Sequence, residues 1–345
     1  MSSPLNKSSS SKFQLSVQTI VLAGIAWAVL AFLFFLLFSV PLPGEGRTAW
    51  YRIGTFVFEE VAYLSAAFLC FRNWRSSQIV SGRFVWLGIG LGTLSFFIAN
   101  LFFTYQEEIL RLPLDSSLLG NIFNVLTYIF LIWGISLAVA SRRLNLEVRQ
   151  WIAILFIALV GFSIAAWLTF ADIDAAPAFK SGGSPTQQAL VATTPNSTLS
   201  STTGGVQGST KAAKPNVPAA SGATRGGQDT ATSQDQSALG ERLSSIFNTL
   251  YTLADVVLLV LATTLLLAFW GGRFSQSWRM IAAGALSLYI ADLWFAYASK
   301  VIPDYESGEL PEVCWVFSGI FFAIGAALEY NLSTRSRRTS GRRRA

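Results

Sequence analysis

The sequence predicts an all-α membrane protein with eight transmembrane helices, arranged as two parallel four-helix repeats with both termini in the cytoplasm. Apolar residues fall in blocks of roughly 20, the length that spans a bilayer core at about 1.5 Å per residue. Charge alternates between successive loops, and two pairs of blocks share a sequence pattern. The composition agrees, because 52% of the residues are hydrophobic and only 13% are charged, whereas soluble domains are about 25% charged.

Five apolar blocks precede a long polar region and three follow it. The first block is too long for the apolar core of a signal peptide, and Pro41 to Gly44 follow it in place of a small-residue cleavage site, so we expect it to be retained. The predicted spans run from about Phe13 to Val40, Trp50 to Phe71, Phe84 to Tyr105, Leu118 to Ala140, Trp151 to Phe170, Leu243 to Trp270, Met280 to Val301 and Pro311 to Tyr330.

The polar region between the fifth and sixth spans consists mainly of Ser, Thr, Gly, Ala, Pro and Gln. Such a segment buries too little apolar surface to offset its ordering entropy, so we expect it to be disordered. The predicted organisation is an N-terminal cytoplasmic segment over 1–12, five spans over 13–170, an extracytoplasmic loop over 171–242, three spans over 243–332 and a basic cytoplasmic tail over 333–345.

Arginines mark every second loop. They are Arg72, Arg75 and Arg83, then Arg142, Arg143 and Arg149, then Arg273 and Arg279, and Lys7 and Lys12 precede the first span. The intervening loops are acidic or mixed, with Glu107, Glu108, Arg111 and Asp115 in one and Asp304, Glu306, Glu309 and Glu312 in another. The positive-inside rule then places both termini in the cytoplasm.

The third and seventh spans share a pattern that indicates duplication. GLGTLSFFIANLFFTY at 90–105 aligns with AAGALSLYIADLWFAY at 282–297, with eight identities in sixteen positions. The fourth and eighth spans continue the match, and Gly134 aligns with Gly325. Because each half has an even number of spans, the halves are expected to share one orientation, as in parallel-repeat membrane proteins.

Several chemistries are excluded or disfavoured by what the sequence lacks. The chain has no histidine, which removes haem, His-ligated copper or zinc, and Ser-His-Asp catalysis. Its two cysteines, Cys70 and Cys314, lie in apolar blocks without a CxxC partner, and we expect packed thiols. The net charge of +6 comes from loop and tail arginines, so we expect no nucleic-acid partner. We predict a non-enzymatic protein with no metal site, and no cofactor is assigned.

Polar side chains within the spans are the candidate binding residues, because ionisable groups in a membrane core are costly and face protein or water. They are Asp255, Asp292, Asn100, Glu59, Glu60 and the neighbouring Trp294. Asn100 holds the repeat position of Asp292. Three readings of the Asp pair remain open: neutral packing residues, a ligand or cation site, or a proton relay. We expect Glu59 and Glu60 to extend to solvent.

Other features predict contacts with lipid or between helices. Aromatic belts at the span ends account for most of Trp50, Tyr51, Trp74, Trp151, Trp270, Trp278 and Trp315. Gly88 and Gly92 form a GxxxG pattern, which permits close helix approach. The tail arginines are expected to bind anionic headgroups or to anchor the topology. They are Arg335, Arg337, Arg338, Arg342, Arg343 and Arg344.

The last three spans carry a further likeness. The segments YTLAD at 251–255, IADLWFAY at 290–297 and PEVCW at 311–315 resemble the multi-helix N-terminal membrane sensor modules of bacterial signalling proteins, which precede GGDEF or histidine kinase domains. The resemblance implies a sensor. Since only an Arg-rich tail follows the last span, we expect it to act through a partner protein.

The first functional hypothesis is therefore a membrane receptor or scaffold that binds a small ligand near the outer face, in a bacterial plasma membrane or, alternatively, a thylakoid membrane. An accessory or assembly subunit of a larger membrane complex, bioenergetic or photosynthetic, is the second. A small-solute or ion transporter is the third, although the eleven prolines all lie outside the middles of the spans, where discontinuous transport helices are interrupted. Membrane lipids are expected partners in each case.

Overall fold

The computed structural model describes residues 16–41, 46–110, 117–141, 147–170, 228–268, 275–303 and 305–342, and these residues are helical or connecting, with no strand among them. The helices are α1 (Val17–Phe38), α2 (Ala49–Arg75), α3 (Arg83–Thr104), α4 (Leu118–Ala140), α5 (Val148–Phe170), α6 (Gln228–Ala268), α7 (Ser275–Val301) and α8 (Val313–Arg342). A π-helical segment, Tyr105–Leu110, continues α3, and a 3₁₀ turn, Leu310–Glu312, precedes α8.

Eight helices of the described part are long and apolar enough to cross a membrane, which confirms the predicted number and indicates an integral membrane protein. Two helices are longer than their predicted spans. α6 begins at Gln228, where a start near Leu243 was expected, and its apolar part is Thr249–Ala268. α8 continues through the first tail residues to Arg342.

The chain divides into two compact units. One comprises Met1–Ile173 with Gly240–Ala345 and contains the apolar helices. The other comprises Asp174–Leu239, of which the structure describes the helical residues 228–239. The rest of the predicted disordered loop lies outside the described residues.

Local signals explain where several helices begin. The hydroxyl of Ser16 accepts a hydrogen bond from the backbone N–H of Thr19 at 3.1 Å, and that of Ser117 accepts from Gly120 at 3.2 Å. Each serine thereby satisfies one of the amide groups that have no partner inside a helix, as N-cap residues do. Gly82 precedes α3 with a φ of 98°, a left-handed conformation that disfavours side chains.

The main core lies among α2, α3, α4, α6, α7 and α8, and a smaller one joins α1, α2 and α8. Trp86 of α3 and Trp278 of α7 are fully buried in the main core, and their ring centroids lie 5.8 Å apart. Trp278 is therefore an exception to the aromatic belt, which was expected to account for most of the aromatic residues near span ends and not for all of them. It packs on an equally buried indole.

Glycines let α3 and α4 approach closely, as the GxxxG pattern predicts. A Cβ atom at Gly88 would lie 2.6 Å from the Cα atom of Gly134, and one at Gly92 would lie 2.7 Å from the Leu131 side chain and 3.1 Å from the Thr127 carbonyl oxygen. No side chain fits at such separations, so both positions require glycine.

A second glycine contact joins α7 and α8. A Cβ atom at Gly284 would lie 3.1 Å from the Phe322 ring and 3.2 Å from the Ser318 carbonyl oxygen. One at Gly325 would lie 2.7 Å from the Ile281 side chain. These two helices also pack closely, but their contacts involve side chains more than backbone.

Candidate functional site

The structure brings Asp255 of α6 and Asp292 of α7 together. The Tyr128 hydroxyl donates to Oδ2 of Asp292 at 2.6 Å, and the Trp315 indole N–H donates to Oδ1 at 2.8 Å. The two carboxyl groups lie within hydrogen-bonding reach of each other. Asp292 is therefore fixed from α4 and α8, and it presents a carboxylate to Asp255.

Asp255 is buried more completely than Asp292. Its side chain is 6% exposed, and its Oδ1 atom accepts no hydrogen bond from the residues that the structure describes. A hydrogen bond between two carboxyl groups requires a proton on at least one of them, since two charged carboxylates in contact repel.

A cavity of about 20 Å³ adjoins this pair, partly open to the surface. Its polar lining consists of Thr252, Asp255, Tyr289 and Asp292. Its apolar lining consists of Ala165, Leu168, Leu293 and Ala296. The volume holds about one water molecule, so the site accommodates a group of that size in its present form.

The candidate residues of the first half form a separate cluster. Asn100 of α3 donates from Nδ2 to Oε2 of Glu59 at 3.0 Å, whereas both carboxyl oxygens of Glu60 are buried without a hydrogen-bond partner among the described residues. Glu60 is only 7% exposed, so the expectation that it extends to solvent is wrong. Its position on α2 turns it toward the neighbouring helices. None of these three residues lines the cavity beside Asp255.

Trp294 is partly buried and packs against Tyr297, with ring centroids 5.8 Å apart, without lining the cavity. The tryptophan that contacts the acid pair is Trp315, which the sequence pattern assigned to an aromatic belt. Tyr128 was also missed. Tyr128 lies 164 residues from Asp292 in the sequence, and Trp315 lies 23 residues away on the next helix. Only the arrangement of the helices identifies them as its partners.

A polar network closes the same end of the bundle. Arg47 is 8% exposed, and its side chain donates from Nη1 to the Gly308 carbonyl at 2.5 Å. The Tyr51 hydroxyl donates to the same oxygen at 2.6 Å. Gly308 donates its N–H to Oε2 of Glu312 at 2.5 Å, and Tyr305 also donates to Glu312. This network ties the chain before α2 to the turn before α8.

Two further details belong to this network. Burial raises the pKa of Tyr305, which keeps its hydroxyl protonated as a donor to Glu312. Arg52 forms an ion pair with Glu108 of the π-helical segment. Glu312 and Glu108 were predicted to lie in acidic or mixed loops, and both accept hydrogen bonds in the structure.

Another buried acid, Glu329 of α8, lies at the opposite end. It is fully buried, and the Ser81 hydroxyl donates to its Oε1 atom at 2.7 Å while the Trp86 indole donates to Ser81 at 2.8 Å. Glu329 was not among the predicted site residues, although an acidic residue inside the predicted last span was a sufficient signal.

Binding of anionic headgroups by the tail arginines stays a prediction. The backbone is helical as far as Arg342, but their side chains lie outside the described part of the chain, as do Arg343 and Arg344 entirely. Within the described residues, no three His, Cys, Asp or Glu side chains converge to hold a metal ion.

Comparison of the chain with protein-family models, curated proteins and solved structures finds no match in any of the three.

Proposed function

We propose that this chain is a non-enzymatic multi-pass membrane receptor that binds a small ligand at Asp255 and Asp292 and acts through a partner protein. One observation carries the proposal: a buried carboxyl oxygen of Asp255 has no hydrogen-bond partner among the described residues, yet its residue lines a cavity. An unsatisfied buried acceptor costs about 1–3 kcal/mol. A bound ligand that donates to this oxygen offsets that cost.

The proposed topology places this site in the outer half of the bilayer. Asp255 lies close to the beginning of the apolar part of α6, Thr249–Ala268, at the end of the bundle that carries the acidic and mixed loops. The arginines Arg72, Arg75 and Arg83 lie at the opposite end of α2 and α3. The positive-inside rule assigns that end to the cytoplasm, with both termini.

The two-repeat architecture is also part of the proposal. The register that aligns Gly92 with Gly284 and Gly134 with Gly325 also aligns the residues they contact, which are Leu131 with Phe322, Thr127 with Ser318 and Ile89 with Ile281. The same register equates Trp86 with Trp278, and these two rings pack on each other. Equivalent residues that touch lie on the axis relating two repeats, which supports duplication.

Lipid contact and a bacterial plasma membrane, or alternatively a thylakoid membrane, complete the proposal. α1 supports lipid contact because it exposes large apolar side chains along its length, with Leu22 66% and Leu37 68% exposed. The sensor-module resemblance of the last three spans favours a bacterial signalling role with a separate output protein.

A solute panel tests the receptor against the transporter. The purified chain in detergent is heated with cationic, anionic and neutral small solutes, and the same solutes are assayed for flux in proteoliposomes. A receptor gains thermal stability from one class, loses that gain in Asp255→Asn, and shows no flux. Flux that depends on Asp255 would establish the transporter instead. Loss of the thermal gain is informative only in a folded variant, so circular dichroism is recorded on each sample.

Affinity purification of the tagged chain from its native membrane in mild detergent tests which protein, if any, is its partner. A stoichiometric partner with a soluble signalling domain agrees with the receptor. A bioenergetic or photosynthetic complex in its place would favour the accessory subunit. A monomer or homodimer that purifies alone contradicts both.

A further inference from the structure

The smaller core shows how the chain covers a groove between two of its own helices. α1 lies against α2 and α8, and its residues Ala31 and Phe35 are fully buried in a cluster with Ile320 of α8. The indole N–H of Trp27 in α1 donates to the Phe58 carbonyl of α2 at 3.1 Å. A transmembrane helix therefore fills the groove between α2 and α8.

The proposed duplication predicts an equivalent groove between α6 and α4, the counterparts of α2 and α8. These two helices are in contact, since the Tyr251 hydroxyl donates to the Asn121 carbonyl at 3.0 Å. The counterpart of α1 is α5, but α5 lies instead against α6 and α7. A Cβ atom at Gly161 would lie 3.1 Å from the Leu259 side chain of α6, and Lys300 of α7 donates to a carbonyl group of α5.

The exposure of equivalent residues shows that the groove between α4 and α6 is uncovered. The register that aligns Gly134 with Gly325 pairs three α4 residues with three α8 residues that pack in the cluster with α1. The exposed fractions are 3% for Val313 against 41% for Ile122, 4% for Ile320 against 53% for Ile129, and 5% for Ile324 against 40% for Trp133. Leu250, Leu253 and Val257 of α6 are exposed as well. Large apolar side chains therefore line a groove that its counterpart fills with a helix.

Trp133 distinguishes a protein helix from lipid as the occupant of this groove. It lies about 10 Å from the end of α4 at Ala140, which is deeper than an interfacial belt. Its indole N–H donates to no residue in the part of the chain that the structure describes. Acyl chains offer no acceptor, whereas a helix offers a carbonyl or hydroxyl oxygen, as Phe58 does for Trp27.

The shape of the groove determines further properties of the occupant. The apolar lining from Ile122 to Trp133 covers about three helical turns, so the occupant needs an apolar face of that length. In the filled groove, a Cβ atom at Gly24 of α1 would lie only 3.2 Å from the Ile324 side chain. Because Trp133 is larger than its counterpart Ile324, the occupant needs a small residue at the same level.

A second copy of the chain does not meet these requirements as a symmetric pair. It would present the same concave groove, and two grooves do not fill one another. A convex face of the second copy would leave that copy's own groove open, so such contacts continue from copy to copy instead of closing a dimer.

We propose that the groove between α4 and α6 binds a transmembrane helix of a different protein, with a small residue and a hydrogen-bond acceptor facing Trp133. The assignment rests on the proposed function, since it names the surface through which the receptor contacts its partner. The same two helices hold the acid pair. α6 carries Asp255, and α4 carries Tyr128, whose hydroxyl donates to Asp292. The partner helix therefore packs on the elements that a ligand at the acid pair would contact.

Site-specific photocrosslinking of the full chain in its native membrane tests the groove. The photoreactive residue p-benzoylphenylalanine replaces Ile129 or Val257, which lie on the two helices of the groove. Leu22 and Leu37 of α1, 66% and 68% exposed, are the control positions. We expect both groove positions to crosslink to one protein, within one apolar segment of about 20 residues mapped by mass spectrometry. The controls should crosslink to lipid.

Trp133→Phe tests the predicted hydrogen bond to the partner helix. The solubilised complex is diluted in mild detergent, and we expect a dissociation constant about threefold weaker than that of the wild type, the size of one hydrogen bond between membrane helices. Trp151→Phe is the matched control, because Trp151 is 52% exposed on α5 and should leave the constant unchanged. An undiminished affinity in Trp133→Phe overturns the predicted acceptor.

The crosslinked species decide the proposal. Lipid adducts alone at Ile129 and Val257, a second copy of the chain, or a segment outside the membrane would each overturn it. The thermal gain that depends on Asp255 tests the receptor separately. A crosslinked partner helix without that gain keeps the groove and removes the receptor, whereas the gain without a crosslinked helix keeps the receptor and removes the groove.

Discussion

Asp292 is the most heavily engaged acid of the candidate site. One of its oxygens accepts from Tyr128 and the other from Trp315, while Asp255 lies within reach as well. Asp255 has one oxygen without a partner among the described residues. The two aspartates therefore differ in what a substitution removes, although the sequence presents them alike.

Asp292→Asn is expected to destabilise the protein more than Asp255→Asn. An asparagine at 292 keeps one acceptor oxygen for two donors, and leaving one buried donor unsatisfied costs about 1–3 kcal/mol. An asparagine at 255 replaces the proton between the two carboxyl groups with an amide N–H that donates to Asp292. Denaturant unfolding of both variants in detergent measures the difference, and a larger loss in Asp255→Asn would contradict the assigned network.

Gly308→Ala is expected to cost more than Gly82→Ala. Both glycines have positive φ, 113° and 98°, so alanine is strained at either by about 1–2 kcal/mol. A Cβ atom at 308 would also lie 3.0 Å from the Tyr51 ring and 3.1 Å from Nη1 of Arg47, whereas one at 82 would have only a 3.7 Å contact with Val85. Equal effects on the unfolding free energy would show that the Arg47 network contributes nothing.

At the residue scale, the sequence identified the acids of the candidate site but not their partners or the buried Glu329. Asp255, Asp292 and Glu60 stand out as ionisable residues in apolar blocks. Trp315 and Tyr128 do not, because aromatic residues are common in membrane helices and their role depends on which helix faces Asp292. Hydropathy carries no information about that neighbour.

At the scale of elements, helix contacts fall into those through backbone and those through side chains. The α3 and α4 helices meet at Gly88 and Gly134, where a Cβ atom would lie 2.6 Å from backbone. Gly161 of α5 differs, since its nearest neighbour is the end of the Leu259 side chain at 3.1 Å. The end of a leucine side chain is able to shift to make room for a new methyl group, whereas the backbone of a packed helix is not.

Gly88→Ala is accordingly expected to separate α3 from α4 and to lower the unfolding free energy by about 1–3 kcal/mol, the range for overpacking. Gly161→Ala serves as the control in the same protein, with a loss well below that range. The two variants are compared by their unfolding midpoints in one detergent. A harmless Gly88→Ala would mean that the α3 and α4 backbones are farther apart than described.

Helix existence was predictable from sequence, and some helix ends were not. Blocks of apolar residues gave all eight spans, because length and hydropathy alone determine which helices are able to cross a bilayer. The polar start of α6 and the polar end of α8 were not predicted. Both helices, Gln228–Ala268 and Val313–Arg342, extend into residues without apolar periodicity. Hydropathy detects only the apolar part of a helix, and the helical structure extends beyond it.

At the scale of the whole molecule, the proposed topology of eight spans predicts that both termini lie on one side of the membrane. Reporter fusions after residue 345 and before residue 1 should both be active in the cytoplasm, and a cysteine placed within 190–220 should react with an impermeant reagent added outside. Opposite locations of the two termini would remove one span from the topology.

The arrangement of helices around the buried Trp86 and Trp278 pair was not predictable, because it depends on contacts between blocks far apart in sequence.

The proposed site depends on water reaching the acid pair from outside. Ala296 lines the cavity, and Ile290, on the same helix, is 42% exposed on the apolar surface of the bundle. Cys314→Ala gives a background in which the remaining cysteine, Cys70, is fully buried. Thiols react with aqueous reagents as thiolates, which require water.

The most direct measurement is the rate at which 2-aminoethyl methanethiosulfonate labels Ala296→Cys and Ile290→Cys in this background, in reconstituted membranes. A water-accessible acid pair predicts labelling at position 296 roughly tenfold faster or more, since only that thiol would face water in the cavity. Equal rates, or faster labelling at position 290, would contradict a ligand site at Asp255 and Asp292.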